Sequence, residues 1–372
     1  VTVGGDWTND GTLTPASGTV VFDGGGPVQL LDSGGDSGGA GDPVGRFNNL
    51  TVTGGSTVEL SSTPLFVDGT LKTGATDTMD MTSREFTVAT LDNSGTLRLD
   101  GTQGTQSISS TSPAPPDAGT VEYYAGSSNG AVRLTVPVYH LIINAPSRTI
   151  SLTDPLADPY LVYGNLTVTD GTLNLAGYDI TLAAQDGSAG DLSIQTNGTL
   201  DADTGGGPGG TISVGGNWSN AGTFTHRQNL VVFNRTSPGT VQILGSNTFY
   251  DFRYEEAGGT IEFESGSTQT VDSGGNFRVV GASGNEITLT ATAPIDGDSS
   301  SYWTFEIVSG GNYTLEYVYI AYSIASPAQV VPPFASIDPE TLYWYDELPV
   351  SASYTVDKDG DGKIDRILVE FT

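Results

Sequence analysis

The stretch TISVGGNWSNAGTFTHRQNLVVFNRTSPGTVQIL, residues 211–244, decides the fold because residues 1–31 repeat it almost step for step. Each copy opens on a tryptophan, Trp7 or Trp218, and an aromatic residue of a second strand follows fifteen residues later, at Phe22 or Phe233. A unit that recurs in this way predicts a repeat architecture, in which each copy buries its apolar face against the next.

The correspondence continues downstream and includes a more diverged copy between the first two. FNNLTVTGGSTVEL at 47–60 matches FYDFRYEEAGGTIEF at 249–263, and a related series of segments begins with FTVATLDNSGTLRL at Phe86. The chain therefore predicts one domain over 1–325, made of copies of roughly 100 residues each. The predicted bounds are 1–85 for the first copy, 86–210 for the second and 211–325 for the third.

Short apolar runs bounded by Gly, Asn or Asp fill these copies, and apolar residues at helical spacing are almost absent. The 51 glycines recur in DG, NG, GG and SG pairs, where a positive φ is tolerated. Two all-β architectures fit this pattern: antiparallel hairpins in sandwiches or propeller blades, or a parallel β-helix. Because the runs are short and like residues recur at like positions, we predict a parallel β-helix in which Val stacks on Val and Leu on Leu.

The charge balance bears on partners. Thirteen Lys and Arg stand against 43 Asp and Glu, a formal net charge of -30. Binding of nucleic acid needs basic grooves, so we expect no such partner. Cysteine is absent, so disulfides and thiol chemistry are excluded. No apolar run approaches the length of a membrane span, and we expect no membrane insertion.

Aromatic residues concentrate near the end of the third copy, in SYWTFEIVSGGNYTLEYVYIAYSIAS at 301–326. Three interpretations are open: a core or cap of the last coils, a contact with a neighbouring subunit, or a platform for sugars. Tyr317 and Tyr319 are the candidate interface residues here. Residues 326–349 contain five prolines and predict an irregular linker.

The tail, 350–372, predicts a strand extension around an acidic loop, DKDGDGKID. Oxygen ligands at alternate positions of such a loop suit Ca²⁺, although Leu368 stands where a bidentate Glu is usual. An acidic hairpin turn without metal is the alternative. The candidate ligands are Asp357, Asp359, Asp361, Lys363 and Asp365. Lys363, at the seventh position of the loop, would bind through its backbone carbonyl oxygen.

The last strand presents an apolar stripe, Ile367, Val369 and Phe371. Two strands alone are marginal in water. Either the hairpin opens an Ig-like module, or it completes a sheet on another copy of the chain, as donated strands do. The second possibility predicts head-to-tail assembly into an open filament.

The pattern GGNWSNAGTFT…VVFN…VQILGSNTFYDFRY…GGTIEF resembles the repeats of large bacterial and archaeal secreted surface proteins of the filamentous-adhesin type. The resemblance implies that the predicted parallel β-helix (β-solenoid) is right-handed. SYWTFEIVSG…LEYVYIAYS looks like a coil of the pectate-lyase-like β-helix proteins, and the tail is similar to the opening of Ig-like modules that follow such helices. The resemblance implies an extracellular, surface-associated location and an adhesive or fibre-forming role. The expected partners are other copies of this chain, other surface proteins or glycans. It implies no catalytic residues.

A polysaccharide-binding or polysaccharide-cleaving β-helix is the alternative function. Such cleavage needs grouped carboxylates, often with a basic residue. The arginines are scattered singly, and His140 and His226 lie in segments that predict a strand and a turn. We therefore expect no catalytic site and no cofactor besides Ca²⁺. An Asp and Arg cluster on one face of adjacent coils would favour the alternative.

Overall fold

A computed structural model describes residues 1–372 except 12, 14–15, 35–44, 115, 117, 154–159, 184–189, 236, 327–334, 340, 343, 345–349, 357–365 and 372, and describes 350–356 and 366–371 by their backbone. Among these residues there is no α-helix, and one short 3₁₀ turn spans Ser299–Ser301. In chain order the strands are β1 Thr2–Val3, β2 Trp7–Thr8, β3 Thr19–Phe22, β4 Gln29–Asp32, β5 Arg46–Phe47, β6 Asn49–Val52, β7 Thr57–Leu60, β8 Leu65–Thr73, β9 Thr78–Asp80, β10 Phe86–Asn93, β11 Thr96–Leu99, β12 Gln106–Thr111, β13 Thr120–Tyr123, β14 Gly130–Val132, β15 His140–Leu152, β16 Tyr160–Val162, β17 Leu166–Asn174, β18 Ile180–Leu182, β19 Leu192–Asp201, β20 Thr211–Val214, β21 Trp218–Asn220, β22 Thr223–Thr225, β23 Leu230–Phe233, β24 Thr240–Leu244, β25 Asn247–Tyr254, β26 Thr260–Phe263, β27 Thr268–Val280, β28 Ile287–Ala291, β29 Trp303–Ile307, β30 Asn312–Glu316, β31 Val318–Ile320, β32 Ser323–Ser326, β33 Ala335–Ile337, β34 Val350–Val356 and β35 Arg366–Phe371.

Strands β1 to β33 stack in parallel as a β-solenoid of about 13 turns, which confirms the predicted fold class. Each turn contributes a strand or part of a strand to three faces. Face I carries β5, β14, β22, β29 and β32. Face II carries β1, β3, β6, β16, β18, β20, β23 and β30. Face III carries β2, β4, β7, β9, β11, β13, β21, β24, β26, β28, β31 and β33.

The longest strands bend around a corner and belong to two faces. Strands β8, β10, β12, β25 and β27 pass from face I to face II, and β15, β17 and β19 pass from face III to face I. Glycine permits the sharpest of these bends. Gly171 has a φ of +76° and lies so close to the preceding coil that a Cβ would stand 1.9 Å from the Ala145 carbonyl oxygen.

The core runs along the axis because alternate residues of every strand point inward. Buried apolar side chains form one cluster from Phe22 to Trp344. Like residues lie on like residues, as predicted: Leu50 pairs with Leu71, Leu71 with Leu91, and Val67 with Val88. Each coil therefore buries its apolar side chains between its two neighbours.

Equivalent residues of the first and third copies occupy equivalent places. Trp7 and Trp218 both lie on face III, and each packs against the phenylalanine that the sequence match assigns to it. The ring centroids of Trp7 and Phe47 are 5.9 Å apart, and those of Trp218 and Phe249 are 5.7 Å apart. The two copies thus share this tryptophan–phenylalanine contact.

The segment predicted as a linker contributes to the last coil. Strand β33 pairs with β31, and Leu342 forms a parallel bridge with Ile324. Trp344 is buried and stacks on Phe305 with centroids 5.6 Å apart. This indole therefore covers the aromatic core of the last coils.

Candidate functional sites

The tail forms the predicted hairpin. Strands β34 and β35 are antiparallel, with Val356 opposite Arg366. The predicted calcium ligands Asp357, Asp359, Asp361, Lys363 and Asp365 lie outside the described residues. The apolar residues Ile367, Val369 and Phe371 lie in β35, but their side chains lie outside the description, so the metal site and the donated strand stay predictions.

The aromatic residues near 301–326 divide between core and surface. Trp303 and Phe305 are fully buried in the core. Tyr317 adopts a φ of 51° at a corner, where its carbonyl oxygen accepts the Ile287 N–H. Tyr319 is exposed by 36 % on face III, and its hydroxyl hydrogen-bonds to Asp338, which raises the pKa of the tyrosine. The Tyr319 side chain is exposed and that of Tyr317 is half-buried, and the interface role of both stays a prediction.

Many Asp and Asn side chains form hydrogen bonds that connect one coil to the next, and we call these contacts stitches. Among the described residues, an Asp or Asn side chain accepts a backbone N–H from the following coil through Oδ1 in nine places, over 2.5 to 3.1 Å. These bonds satisfy N–H groups near corners, where the β ladder is interrupted. The pairs are Asp6 with Leu30, Asn49 with Thr70, Asn129 with Thr149, Asn165 with Asp191, Asn174 with Thr204, Asp179 with Thr211, Asp191 with Asn217, Asn217 with Gln242, and Asp251 with Asn276.

Face III brings together a mixed-charge cluster that the linear sequence hides. Arg98 donates from Nη1 to Asp80 over 2.8 Å and from Nε to Glu122 over 3.0 Å, on the coils before and after its own. Its guanidinium lies 4.3 Å from the ring centroid of Tyr124, whose hydroxyl donates to Asp80. Asn144 continues the row by donating to Glu122. Burial raises the pKa of Tyr124, and the negative charge of Asp80 adds to that rise.

This arrangement is the kind of cluster that would favour a polysaccharide enzyme, so its contacts matter. Arg98 is used on both sides, and both carboxylates already accept hydrogen bonds from protein donors. A substrate would have to displace these partners to reach the carboxylate oxygens. The geometry supports an ion-pair ladder that ties three coils together.

Both histidines use the ring nitrogen Nδ1 as a hydrogen-bond acceptor within the protein. His226 accepts the Gln228 N–H at Nδ1 over 3.2 Å, and its Nε2 lies 3.2 Å from Asp272, which fixes the ring. His140 accepts the Asn165 N–H at Nδ1 over 3.0 Å. Burial lowers the pKa of both imidazoles, and for His226 it outweighs the opposing effect of Asp272. Both rings act as hydrogen-bond partners between neighbouring segments.

The described part of the chain shows neither a metal-binding group of side chains nor a membrane-crossing helix. No group of three or more His, Cys, Asp or Glu side chains within it is arranged to hold a metal ion. None of its helices has the length and apolar character that crossing a bilayer requires.

Large exposed apolar side chains are confined to the two ends of the solenoid. Within the described residues, none lies between 31 and 294. An open cavity of about 240 Å³, lined in part by Leu13, Val20 and Phe47, also lies at the N-terminal end. The exposed residues are Val1, Val28, Leu30, Ile295, Val308, Tyr319 and Leu342.

Comparison with known proteins adds no assignment: no protein-family model, no curated protein and no solved structure matches this chain.

Proposed function

We propose that this protein is a structural component of an extracellular surface, either a subunit of a filament or the shaft of an adhesin. The observation that carries the proposal is the unbroken apolar core, which extends from Phe22 to Trp344 through coils that each contact only their neighbours. Coils spaced by about 4.8 Å give about 13 turns a length of roughly 60 Å. A rod of this length can act as a spacer.

The contacts between coils support a mechanical role. Parallel ladders on three faces, the Asp and Asn stitches and the Arg98 ladder all connect successive coils along the axis. An axial load would be shared among these bonds in every coil. The net charge of -30 favours solubility and disfavours side-by-side packing of copies.

Assembly is the second part of the proposal. The solenoids associate head to tail, the C-terminal hairpin donates a strand to the next copy, and Ca²⁺ bound by the acidic loop orders that hairpin. The apolar residues Ile367, Val369 and Phe371 of β35 support strand donation, because two strands alone are marginal in water.

Negative-stain electron microscopy tests both parts. The full chain with Ca²⁺ is expected to give rods of about 60 Å and end-to-end multiples of that length. A chelator, or removal of residues 350–372, is expected to leave single rods. Compact particles would contradict the structural role, and single rods at every Ca²⁺ concentration would contradict the assembly.

A further inference from the structure

The ladders that join successive coils are interrupted at one place near the middle of the solenoid. Strand β12 pairs with β10, and β14 pairs with β15, but no ladder joins β12 to β14 among the described residues. Face II has the same gap, because residues 133–137 form no strand between β12 and β16. Face III continues across this junction through the pairing of β13 with β15. We call the junction between residues 101–111 and 130–138 the seam.

The seam differs in this respect from the rest of the rod. Within the described part of the chain, every other junction between coils has ladders on at least two faces. At the coil that follows β27, for example, β29 continues face I, β30 continues face II and β31 continues face III. Parallel ladders supply a regular series of hydrogen bonds between coils, so the seam has fewer of them than its neighbours.

A glutamine side chain replaces part of the missing ladder. The Gln106 amide donates from Nε2 to the Ala131 carbonyl oxygen over 2.9 Å and accepts the Arg133 N–H at Oε1 over 3.1 Å. The Ala131 N–H in turn donates to the Gly101 carbonyl oxygen over 2.8 Å. Face I is thus connected across the seam by a side chain and a backbone bond instead of a ladder.

The Gln106 amide has the bonding pattern of a residue in a parallel strand. Such a residue donates to the carbonyl before its partner and accepts the N–H after it. Val138 and Val162 form a pair of this kind. The Val138 N–H donates to the Leu161 carbonyl over 3.2 Å, and the Val138 carbonyl accepts the Tyr163 N–H over 2.9 Å. Holding a glutamine side chain in one such position costs conformational entropy, so the substitute is weaker than a backbone pair.

The core is also more polar at the seam than along most of the rod. Gln103, Gln106 and Tyr123 are all buried there. The Tyr123 hydroxyl donates to Gln106 over 2.6 Å, and Gln106 donates to Gln103 over 3.3 Å. Tyr160, in the coil beyond, is buried too, and its hydroxyl has no hydrogen-bond partner among the described residues. Buried polar groups gain less than Leu or Val on burial, and an unpaired hydroxyl lowers stability.

We propose that the seam is a hinge, about which the two halves of the rod tilt while each half keeps its own coils paired. The ladder between β13 and β15 is the axis of this hinge, because it continues across the seam, and faces I and II open on the other side. The bonds of Gln106 limit the tilt. The inference rests on the proposed mechanical role and deepens it, since a rod that bends at one place can follow a moving surface without unfolding.

Distances between spin labels on the full chain test the hinge. The sequence has no cysteine, so introduced cysteines are the only labelling sites. Thr51→Cys with Thr181→Cys puts both labels on face II, one on each side of the seam. Thr181→Cys with Thr314→Cys is the matched control, on face II within one half of the rod. The seam-spanning pair is expected to give a distance distribution about twice as broad as the control pair, and equal widths would contradict the hinge.

Gln106→Leu tests the part played by the glutamine. It removes both bonds to the next coil and is expected to broaden the seam-spanning distribution further and to speed hydrogen exchange of the Arg133 amide about tenfold. Gln269→Leu is the control, because Gln269 is also buried and bonds to the Gly245 carbonyl over 2.9 Å, but lies in β27, which pairs with β25 and β29. This variant should leave both readouts unchanged.

Two outcomes overturn the inference. An equal effect of Gln106→Leu and Gln269→Leu on the seam-spanning pair would show that the glutamine does not limit a hinge. Should Gln106→Leu fail to fold, the two label pairs in the otherwise unmodified chain decide the matter alone. Straight rods with equal label distributions would leave the structural function standing, whereas compact particles in the microscope would contradict that function whatever the labels show.

Discussion

The first coil and the equivalent coil at the start of the third copy have nearly the same sequence but different surroundings. Trp218 is fully buried, and its Nε1 donates to Asn247 over 2.8 Å. Trp7 is partly exposed, and its Nε1 has no partner. The position equivalent to Asn247 is Gly45, which has a φ of +79°, and a Cβ there would stand 2.7 Å from the Ser33 carbonyl oxygen. The backbone at Gly45 therefore leaves no room for an asparagine side chain like that of Asn247, which accepts the tryptophan N–H in the third copy.

A second difference concerns which residues point inward. In the third copy, VQIL places Val241 and Ile243 in the core and Gln242 outside. In the first copy, VQLL places Gln29 and Leu31 inside, while Val28 and Leu30 are 48 % and 43 % exposed. A shift of one residue exchanges the two sides of a strand. The same motif is therefore used in opposite orientations.

In this orientation the Gln29 side chain bonds to backbone groups of the preceding coil and of its own turn. Its Nε2 donates to the carbonyl oxygens of Val3 and Gly5, and its Oε1 accepts the Gly24 N–H. The comparison teaches that the second coil leaves Val28 and Leu30 exposed and buries an amide side chain, which satisfies backbone groups of the first coil.

The largest expected effect breaks the tryptophan pair. Trp218→Ala removes a fully buried indole that packs against Phe224 and Phe249, and is expected to lower the free energy of unfolding by about 3–5 kcal/mol. Trp7→Ala should lower it by about 1–2 kcal/mol, since less apolar area returns to water. Urea denaturation followed by far-UV circular dichroism measures both. Equal losses would mean that the first coil is as well packed as its copy.

The next effect tests the opposite orientation of the shared motif. Ile243→Thr places a hydroxyl in the core and is expected to lower the free energy of unfolding by about 2–5 kcal/mol. Leu30→Thr, at the same letter of the first copy, is expected to stay within about 0.5 kcal/mol of the parent because Leu30 faces solvent. The two thermal midpoints decide the matter, and a loss at Leu30 as large as at Ile243 would place Leu30 in the core.

The sequence predicts the solenoid because the repeat and the turn residues are local signals. It also predicts the equivalence of Trp7 with Trp218 and of Phe47 with Phe249, since both copies keep the spacing. It does not predict the orientation of VQLL, because the hydrogen bonds that accompany it join Gln29 to residues about a coil away. The shared motif therefore buries its second and fourth residues in the first copy, and its first and third residues in the third copy.

The Arg98 cluster was missed for a related reason. Arg98 stands alone in the sequence, and its partners Asp80 and Glu122 come from the coils on either side. Coil length varies widely: Val318 pairs with Ala335, whereas Thr268 pairs with Thr304. Without a fixed period, the residues that meet across coils cannot be read from spacing. The acidic tail loop is local and could be predicted as a motif, and its metal remains a prediction.

The smallest effect concerns the stitches that lead into the third copy. His140, Asn165, Asp191 and Asn217 form a series in which each side chain accepts the N–H of the next member or, at its end, of Gln242. The described part of the first copy has two such stitches, which do not form a series: one from Asp6 to the Leu30 N–H and one from Asn49 to the Thr70 N–H. Because the series begins at an imidazole, it should respond to acid where the first copy does not.

Burial lowers the pKa of His140 in the folded chain, so the unfolded chain takes up a proton at higher pH. Stability is therefore expected to fall as pH drops below about 6.5, the usual pKa of histidine. A proton on Nδ1 would also remove the acceptor for the Asn165 N–H. His140→Asn keeps an acceptor there and should reduce the loss between pH 7 and pH 5.5, measured by urea denaturation. His226 shifts in the same direction, so a part of the loss should persist in this variant. An unchanged pH profile would show that His140 does not couple the series to acid.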